Sequence, residues 1–344
     1  MQVKLKPIQE QVLVITGASS GIGLATARAA AQAGANLVLA ARSGHALDDL
    51  GQELRSAGSK VHIVQTDVSH PEQMANLAEQ AIGQFGRYDT WVNNAGTSIY
   101  GKLEEVPIDD MRRLFDTNFW GIVYGSLEAV KHLKKGGGAL INVGSTVSER
   151  AIPLQGIYSA SKHAVKGFTD ALRMELESEG AAVSVTLVKP GAIDTPFTMN
   201  AKNYLGSEPQ HVPPVYAPET VADAILHAAQ NPIRDVFVGG GGKFIAALGQ
   251  WAPRLTDVIM EETVISGTES GRPAGPRQDN GLERASERLQ TRGDYPGHVA
   301  QSSLYTQASL HPILAGAAVL GVGLALRAAL GGRPTGPSSR LRMR

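Results

Sequence analysis

The sequence predicts an α/β fold in which a doubly wound parallel sheet of about seven strands is covered by helices on both faces and followed by a C-terminal extension. Two observations predict the sheet: short β-branched apolar runs alternate with longer amphipathic stretches between residues 10 and 240, and a glycine-rich turn follows the first of these runs. After Val238 the chain becomes polar and rich in glycine and proline, which indicates a separate extension.

The elements follow in chain order. Strands are predicted at residues 12–16, 36–41, 61–66, 90–93, 139–144, 183–188 and 235–238. Helices are predicted at residues 21–33, 45–57, 71–85, 108–134, 156–178 and 218–230, several of them opened by Ser, Asp or Pro. One more helix, at residues 243–260, is interrupted at Pro253.

Composition excludes several classes of function. The 344 residues carry 32 Lys+Arg against 32 Asp+Glu, so the chain has no overall charge with which to bind nucleic acid. The absence of Cys excludes disulfides, thiol nucleophiles and Cys-ligated metals, and we expect no metal site. The N-terminus has no apolar run before the first strand, which predicts a cytoplasmic protein without a secretory signal.

The turn after the first strand predicts a phosphate-binding loop. It contains Thr16, Gly17, Ser19, Ser20, Gly21, Ile22 and Gly23. Glycine allows the backbone to turn sharply and approach a pyrophosphate, towards which the next helix directs its free N–H groups. An isolated glycine pattern could be an ordinary strand-to-helix turn, but the position at the first strand-helix junction favours phosphate binding.

This Thr-Gly-x-x-x-Gly-x-Gly spacing resembles the one-domain branch of the short-chain dehydrogenase/reductase family. It differs from the Gly-x-x-Gly-x-x-Gly spacing of the longer sugar-nucleotide epimerase and dehydratase branch. The resemblance covers about residues 10–260 and implies a Rossmann-type fold, a nicotinamide cofactor and oxidoreductase activity. We assign residues 1–262 to this catalytic domain.

The end of the second strand predicts the form of the cofactor. An NAD site usually offers an acidic side chain here for the ribose 2′-hydroxyl, whereas this chain has Ala41 and Arg42. A guanidinium can clamp a 2′-phosphate, so we favour NADP(H) over NAD(H), the alternative being that Arg42 is a surface cation.

The resemblance implies further cofactor contacts at the ends of later strands. It assigns Asp67 and Val68 to the adenine site, although Asp67 could equally cap the following helix. Asn94, Ala95 and Gly96 would form the cofactor wall; Pro190, Gly191 and Ile193 would border the nicotinamide, and Thr195 would bind its carboxamide.

Tyr158 and Lys162 have the spacing of an acid/base pair. They are four residues apart on a predicted helix, so the phenol and the ammonium lie on one face. A nearby ammonium and an oxidised nicotinamide both favour the phenolate, which lowers the tyrosine pKa towards a useful range. Ser145, just after the fifth strand, can orient the substrate oxygen. A lone Tyr-x-x-x-Lys match is more often a core-edge tyrosine beside a solvated lysine.

The resemblance completes this site with a fourth residue. Asn118 corresponds to the asparagine that holds a relay water in the family, and Lys162 would also bind the nicotinamide ribose. The alternative for Asn118 is local hydrogen bonding within its helix.

The connection after Pro196 is too long for a simple turn and predicts a substrate lid. Its apolar members are Phe197, Met199, Tyr204, Leu205 and Val212, while Thr97, Ser98, Tyr100, Leu154 and Gln155 are candidate walls. No Arg or Lys stands out as reserved for a substrate carboxylate or phosphate, which favours an apolar alcohol or ketone.

The extension divides into three predicted parts. Residues 263–310 form a polar flexible linker, residues 311–330 an apolar helix, and residues 331–344 a basic tail. The apolar helix could contact a membrane from the cytoplasmic face as an in-plane anchor, or lie buried between subunits.

We therefore expect an NADP(H)-dependent oxidoreductase acting on a ketone or secondary alcohol. The alternatives are a lipid- or steroid-type reductase at a membrane surface and a non-catalytic NADP(H) sensor. By resemblance, the helices at residues 108–134 and 156–178 would pair subunits in a homodimer or homotetramer.

Overall fold

A seven-stranded parallel sheet forms the centre of the computed structural model, which describes residues 3–275, 280–317 and 320. Its strands are β1 (Val12–Thr16), β2 (Asn36–Ala41), β3 (Val61–Gln65), β4 (Thr90–Asn93), β5 (Gly138–Val143), β6 (Val183–Pro190) and β7 (Asp235–Val238). They lie in the order β7-β6-β5-β4-β1-β2-β3, and every neighbouring pair is parallel. The predicted doubly wound sheet is confirmed.

Helices connect the strands and continue after the last one. They are α1 (Gly21–Gln32), α2 (Gly44–Ser56), α3 (Pro71–Phe85), α4 (Ile108–Phe115), α5 (Gly121–Gly136), α6 (Gly156–Ser178), α7 (Pro218–Ala228), α8 (Gly240–Trp251), α9 (Pro253–Thr268) and α10 (Leu304–Leu310). Most predicted boundaries agree with these, and the others up to β7 differ by one or two residues, because terminal turns and strand ends fray.

The strands bury side chains on both faces of the sheet. Along β1, Leu13 and Ile15 enter one apolar core beneath α1 and α7, whereas Val12 and Val14 enter the other, beneath α3, α5 and α6. This follows from the period of two along a strand. Burial on both faces explains why the strands are continuous apolar runs rather than alternating ones.

The single long helix predicted at residues 108–134 is divided. One π-helical turn, Asp116–Trp120, separates α4 from α5. Such turns insert an extra residue and are frequent at functional sites. The turn buries Asn118 completely while Trp120, two residues later, stays partly exposed.

The chain after β7 is more ordered than the sequence predicts. Two helices, α8 and α9, replace the one helix expected at residues 243–260, and α9 continues past residue 262. Strand Glu269–Pro273 pairs with Ser207–Pro209. Leu282 and Leu310, both within the expected flexible linker, are buried because each packs into an apolar cluster of the domain. The division of the chain into domains stays a prediction.

Most of the predicted apolar helix lies outside the described residues, as does the basic tail. Of its described part, Ile313 is 85% exposed and Leu314 is 69% exposed. Within the ranges that the structure describes, no helix combines the length and apolar composition needed to cross a bilayer.

Candidate active site

A cavity of about 590 Å³ lies at the carboxyl ends of the strands, which is where open parallel sheets bind ligands. Most of the predicted site residues line it: Gly17, Ser19, Ser20, Gly21, Ile22, Arg42, Asp67, Val68, Asn94, Ala95, Gly96, Ser145, Tyr158, Lys162, Pro190, Gly191, Ile193 and Thr195. The lining does not include Thr16, Gly23 or Asn118, but each of them contacts residues that line the cavity.

The glycine turn between β1 and α1 has the shape of a phosphate cradle. Gly17 has a φ of 66°, a conformation that favours glycine. A Cβ on Gly23 would lie 2.1 Å from the Gly17 carbonyl oxygen, so only glycine allows this close turn. The turn opens directly onto the N-terminus of α1, where backbone N–H groups attract an anion. These residues fit the pyrophosphate of a dinucleotide.

Thr16 holds the neighbouring wall in position. Its hydroxyl oxygen accepts hydrogen bonds from the backbone N–H groups of Asn94 at 3.0 Å and Ala95 at 3.2 Å. The Asn94 side chain donates to the Thr16 carbonyl at 2.9 Å. The ends of β1 and β4 are thereby fastened together beneath the cavity.

Arg42 and Asp67 stand at one end of the cavity, after β2 and β3. The Arg42 guanidinium donates hydrogen bonds to the carbonyl oxygens of Gly281 and Arg284, two residues of the C-terminal segment. The Asp67 carboxylate accepts from the Ser69 N–H at 3.0 Å and from its hydroxyl at 2.7 Å. Asp67 therefore folds its own turn, and the N-cap position of α3 belongs to His70.

Asn118 uses the π-helical turn to hold a wall of the cavity. Its amide oxygen accepts from the Thr97 N–H at 2.8 Å, and its amide nitrogen donates to the Thr97 carbonyl at 2.9 Å. A third hydrogen bond reaches the Ser161 hydroxyl at 3.3 Å. Asn118 thus bonds outside its helix and connects the segment after β4 to α6.

Tyr158 and Ser145 form the centre of the predicted catalytic group. Burial raises the pKa of Tyr158 to about 12, and a hydrogen bond with Ser145 opposes this increase. The Ser145 hydroxyl lies 3.4 Å from the Pro190 carbonyl oxygen and accepts from the Val147 N–H at 3.2 Å. The phenol consequently keeps its proton at neutral pH in the environment that the chain itself provides.

Lys162 lies one helical turn beyond Tyr158, as the spacing predicts. Its ammonium donates to the Val143 carbonyl at 2.9 Å and lies 5.8 Å from the centre of the Tyr158 ring. Burial lowers the pKa of Lys162 to about 8. Both side chains of the pair are buried, which excludes the alternative of a solvated surface lysine.

The last predicted contact places a threonine opposite the phosphate loop. Thr195 follows the short strand Ala192–Ile193. A Cβ atom added to Gly21 would lie 3.1 Å from the Thr195 Cβ atom. The phosphate loop and the segment after β6 therefore approach each other across the cavity.

Comparison with known families agrees with this geometry. The family model described as "short chain dehydrogenase" matches residues 11–205, which include the glycine turn, Ser145, Tyr158 and Lys162. The chain is a short-chain dehydrogenase. Enzymes of this family depend on NAD(P), and the family predicted from the motifs of this sequence is confirmed.

Relatives of this short-chain dehydrogenase differ in how much of it they match. "Uncharacterized oxidoreductase YxnA" of Bacillus subtilis is 48% identical over 324 residues, covering 93% of this chain and 91% of the relative. "11-beta-hydroxysteroid dehydrogenase A" of Arachis hypogaea is 42% identical over 190 residues, covering 55% of this chain and 54% of the relative.

Solved structures match the dehydrogenase fold. A short-chain dehydrogenase/reductase from Burkholderia phymatum in complex with NAD has a TM-score of 0.62 and 27% identity, covering 77% of this chain and 97% of that one. An alcohol dehydrogenase from Thermococcus sibiricus complexed with 5-hydroxy-NADP has a TM-score of 0.59 and 29% identity, covering 66% and 95%. Nicotinamide cofactors of both kinds thus occur among the neighbours.

The substrate side of the dehydrogenase is built partly from predicted residues. Thr97, Tyr100, Gln155, Phe197 and Val212 line the cavity. The Phe197 ring lies 5.6 Å from the Tyr158 ring, so the predicted lid reaches the catalytic group. The other candidates support these walls: Ser98 accepts a hydrogen bond from Gln155, Leu154 and Leu205 pack with Tyr100, and Tyr204 donates to Asp110. Met199 is partly exposed.

The cavity residues that the sequence analysis missed include three sets from the chain after residue 205. They are Phe244 and Ile245 of α8 with Met260, Val264 and Thr268 of α9, then His211, and finally Gly281, Ala285 and Ser286. Thr256, Met260, Val264 and Thr268 are the buried face of α9, and their four-residue spacing was the available signal. No comparable pattern marks the other two sets.

His211 is the most unusual of these residues. Its Nε2 atom is buried without a hydrogen-bond partner, and its ring meets the Tyr295 ring edge to face at 6.3 Å between centres. Burial lowers the pKa of His211 to about 4, against the opposing effect of Asp194 and Asp294. The imidazole is therefore neutral at physiological pH.

Proposed function

We propose that this short-chain dehydrogenase transfers hydride between NADP(H) and an apolar ketone or secondary alcohol, with Tyr158 as its acid/base. The observation that carries the proposal is that Ser145, Tyr158 and Lys162 line the same cavity as the glycine turn. A bound carbonyl at this point would meet the phenol and the serine hydroxyl together.

The chemistry of each residue follows from its surroundings. A nicotinamide dinucleotide bound by the glycine turn would supply the hydride for reduction of the carbonyl carbon, or take it up in the reverse reaction. Ser145 holds the substrate oxygen by a hydrogen bond, and Tyr158 gives that oxygen a proton in reduction and removes it in oxidation. The raised pKa of Tyr158 keeps the proton available for reduction at neutral pH.

Lys162 and Asn118 position the reacting groups. The buried Lys162 ammonium, with its pKa lowered to about 8, can hold a ribose hydroxyl and favour the phenolate when oxidation requires it. Asn118 would support the relay of protons from Lys162, since it fixes Thr97 beside the cavity and bonds Ser161 on α6.

We favour NADP(H) because Arg42 lines the cavity at the end of β2 without an acidic neighbour in sequence. Its bonds to the C-terminal segment involve Nη2 only, which leaves Nε and Nη1 for a phosphate. Replacing Arg42 with Ala should raise the KM for NADPH about tenfold and the KM for NADH much less. An equal increase for both cofactors would contradict phosphate recognition.

A second candidate is a lipid- or steroid-type reductase at a membrane surface. One support is the apolar wall of the cavity, formed by Phe197, Val212, Phe244, Met260 and Val264. The other is the similarity of 55% of this chain to a relative named as a hydroxysteroid dehydrogenase. Adding vesicles to assays with steroid ketones and with short ketones would separate this candidate from a reductase of small substrates.

The deciding experiment follows NADPH and NADH absorbance with purified protein over a panel of ketones and aldehydes. The matched control is Tyr158→Phe, which keeps the ring and removes only the hydroxyl. We expect turnover with NADPH that falls by about 10²- to 10⁴-fold in the variant. Binding of NADPH without turnover on any carbonyl would favour the non-catalytic sensor instead.

The assembly that we propose is a homodimer or homotetramer paired through α5 and α6. Trp120 beside α5, Leu127 and Met174 are large apolar side chains exposed on these helices. Light scattering should give a mass of two or four chains, and Leu127→Arg with Met174→Arg should reduce it. A monomer at every concentration would contradict the assembly.

A further inference from the structure

The C-terminal segment of residues 280–293, which we call the strap, crosses the open side of the cavity. It begins beside the loop after Pro196, passes Arg42 at the end of β2, and reaches the N-terminus of α1. The family model ends at residue 205, so the strap lies beyond the part of the chain that the model matches.

One end of the strap is tied to the substrate side. The Gly281 N–H donates to the Asn200 carbonyl at 2.6 Å, and Glu283 forms an ion pair with Lys202. Lys202 also pairs with Asp110 at 2.9 Å. Between these bonds, Leu282 is buried in an apolar cluster that contains Tyr158.

The other end is tied to α1 and to the segment after β6. The Gly21 N–H donates to the Gln290 carbonyl at 2.9 Å, and Arg28 donates to the Thr291 hydroxyl at 2.9 Å. Further along, the Gly293 N–H donates to the Asp194 carboxylate at 3.1 Å. The strap therefore bridges the elements on opposite sides of the cavity.

The strap presents small groups inwards and charged groups outwards. Gly281, Ala285 and Ser286 line the cavity. The charged residues of the same segment are exposed, namely Glu283, Arg284, Glu287 and Arg288. Small inward residues leave the cavity open beneath the strap, so the segment covers the space and does not fill it.

We propose that the strap is the outer wall of the nucleotide site, which holds the dinucleotide between the sheet and Ser286 and releases it only when the strap moves. The inference rests on the proposed function, because it assumes that a nicotinamide dinucleotide binds this cavity. Arg42 belongs to both the strap contacts and the cavity, because its Nη2 atom bonds the strap while the residue lines the cavity.

The bonds that hold the strap suit a wall that opens. Apart from the buried Leu282, the strap is held by part-buried or exposed hydrogen bonds and by one ion pair with a partly exposed carboxylate, and each bond of this kind stabilises the folded position only weakly. A segment held by a few such bonds opens locally at much lower free energy than global unfolding requires. The nucleotide can therefore exchange without disturbing the sheet.

Single-thiol labelling tests the position of the wall, since the chain has no Cys of its own. Ser286→Cys places one thiol on the inner face, and Glu287→Cys places one on the outer face as the matched control. Each variant is alkylated with and without NADPH or NADH at about ten times the Kd, which is measured separately by nucleotide fluorescence. We expect bound nucleotide to slow alkylation of Ser286→Cys about tenfold and to leave Glu287→Cys unchanged.

Nucleotide release tests the enclosure. Glu283→Gln removes the ion pair with Lys202. Glu287→Gln, the control, makes the same charge change at another exposed position of the strap. We expect NADPH to dissociate about two- to fivefold faster from Glu283→Gln, because one ion pair is lost while the buried Lys202 keeps Asp110 as a partner, and at the parent rate from Glu287→Gln.

The outcomes separate this inference from the proposed function. Nucleotide binding with equal alkylation of Ser286→Cys in its presence and absence would overturn the wall alone. An unchanged dissociation rate in Glu283→Gln would overturn the enclosure. Failure of both NADPH and NADH to bind would overturn the inference together with the proposed function.

Discussion

The catalytic centre and the outer walls of the cavity are held by different forces. At the centre, Asn118, Ser145 and Lys162 are buried, and each bonds to backbone carbonyl or N–H groups of neighbouring strands and loops. The outer walls, from α8 to the strap, depend on apolar side chains and on ion pairs such as that between the buried Lys202 and the partly exposed Glu283.

This difference separates chemistry from selection. Buried hydrogen bonds to backbone fix atoms within narrow limits, which acid/base catalysis requires. Apolar contacts and surface ion pairs fix position less strictly and can change with little cost to the sheet. We therefore expect variants of the centre to lose turnover, and variants of the outer walls to change which molecules bind and how fast they leave.

Among the variants that test this comparison, the largest expected effect comes from Asn118→Ala. The change leaves the Thr97 N–H and carbonyl unpaired in a buried place, at about 1–3 kcal/mol for each group, and loosens one wall of the cavity. We expect turnover to fall about 100-fold and thermal unfolding to begin earlier. Asp116→Asn, at an exposed position in the same turn, is the control. Parental turnover in Asn118→Ala would show that the centre tolerates a loose wall.

The next effect concerns pH and the two directions of the reaction. Reduction needs protonated Tyr158, whose pKa of about 12 keeps the rate level near neutrality. Oxidation needs the phenolate, so its kcat/KM should rise about tenfold per unit between about pH 6 and pH 8. Ser145→Ala removes the bond that lowers this pKa and should move the oxidation limb to higher pH. Identical profiles in both directions would exclude Tyr158 as the acid/base.

A smaller effect is expected on the apolar wall. Phe244→Ala should raise the KM for a bulky apolar ketone about fivefold, because contact area with the substrate is lost, while the KM for a small ketone stays unchanged. Trp251→Ala, at the far end of α8 where the ring is 88% exposed, is the control. Equal effects on both ketones would argue that α8 supports the fold and does not select the substrate.

The smallest effect concerns stability in acid. The folded pKa of His211 is about 4 against an ordinary value of 6.5, so the unfolded chain binds the extra proton between these values. Stability should therefore be complete above about pH 6.5 and fall as the pH decreases towards 4. Removing the titrating group in His211→Gln should reduce the acid-dependent loss of Tm by about 2–4 °C. The same acid dependence in both proteins would contradict the prediction.

The sheet could be predicted because burial on both faces produces apolar runs that are easy to recognise. Four of the seven predicted strands have the observed bounds, including β1 and β2. The division of the helix at residues 108–134 could not be predicted, since the π-helical turn depends on the bonds of Asn118 to Thr97 and Ser161, which are distant in sequence. Periodicity within a helix carries no information about such partners.

The candidate site could likewise be predicted only where it depends on local sequence patterns. The phosphate loop and the Tyr158–Lys162 pair depend on local spacing, and the structure brings them to one cavity. Arg42 was expected either to clamp a 2′-phosphate or to be a surface cation, and its bonds to the strap were not foreseen. Ser286 and His211 could not be identified, because each reaches the cavity through a long connection whose path is set by tertiary contacts.

The strap also determines when the nucleotide site becomes complete during synthesis of the chain. Strand β7 ends at Val238, whereas the strap, whose Gln290 bonds the phosphate loop, begins at residue 280, 42 residues later (280 − 238). At about 5–20 residues per second, the ribosome adds that stretch in about 2–8 s. The sheet can therefore form before its nucleotide site has an outer side, and a nascent chain interrupted in this interval would bind dinucleotide without retaining it.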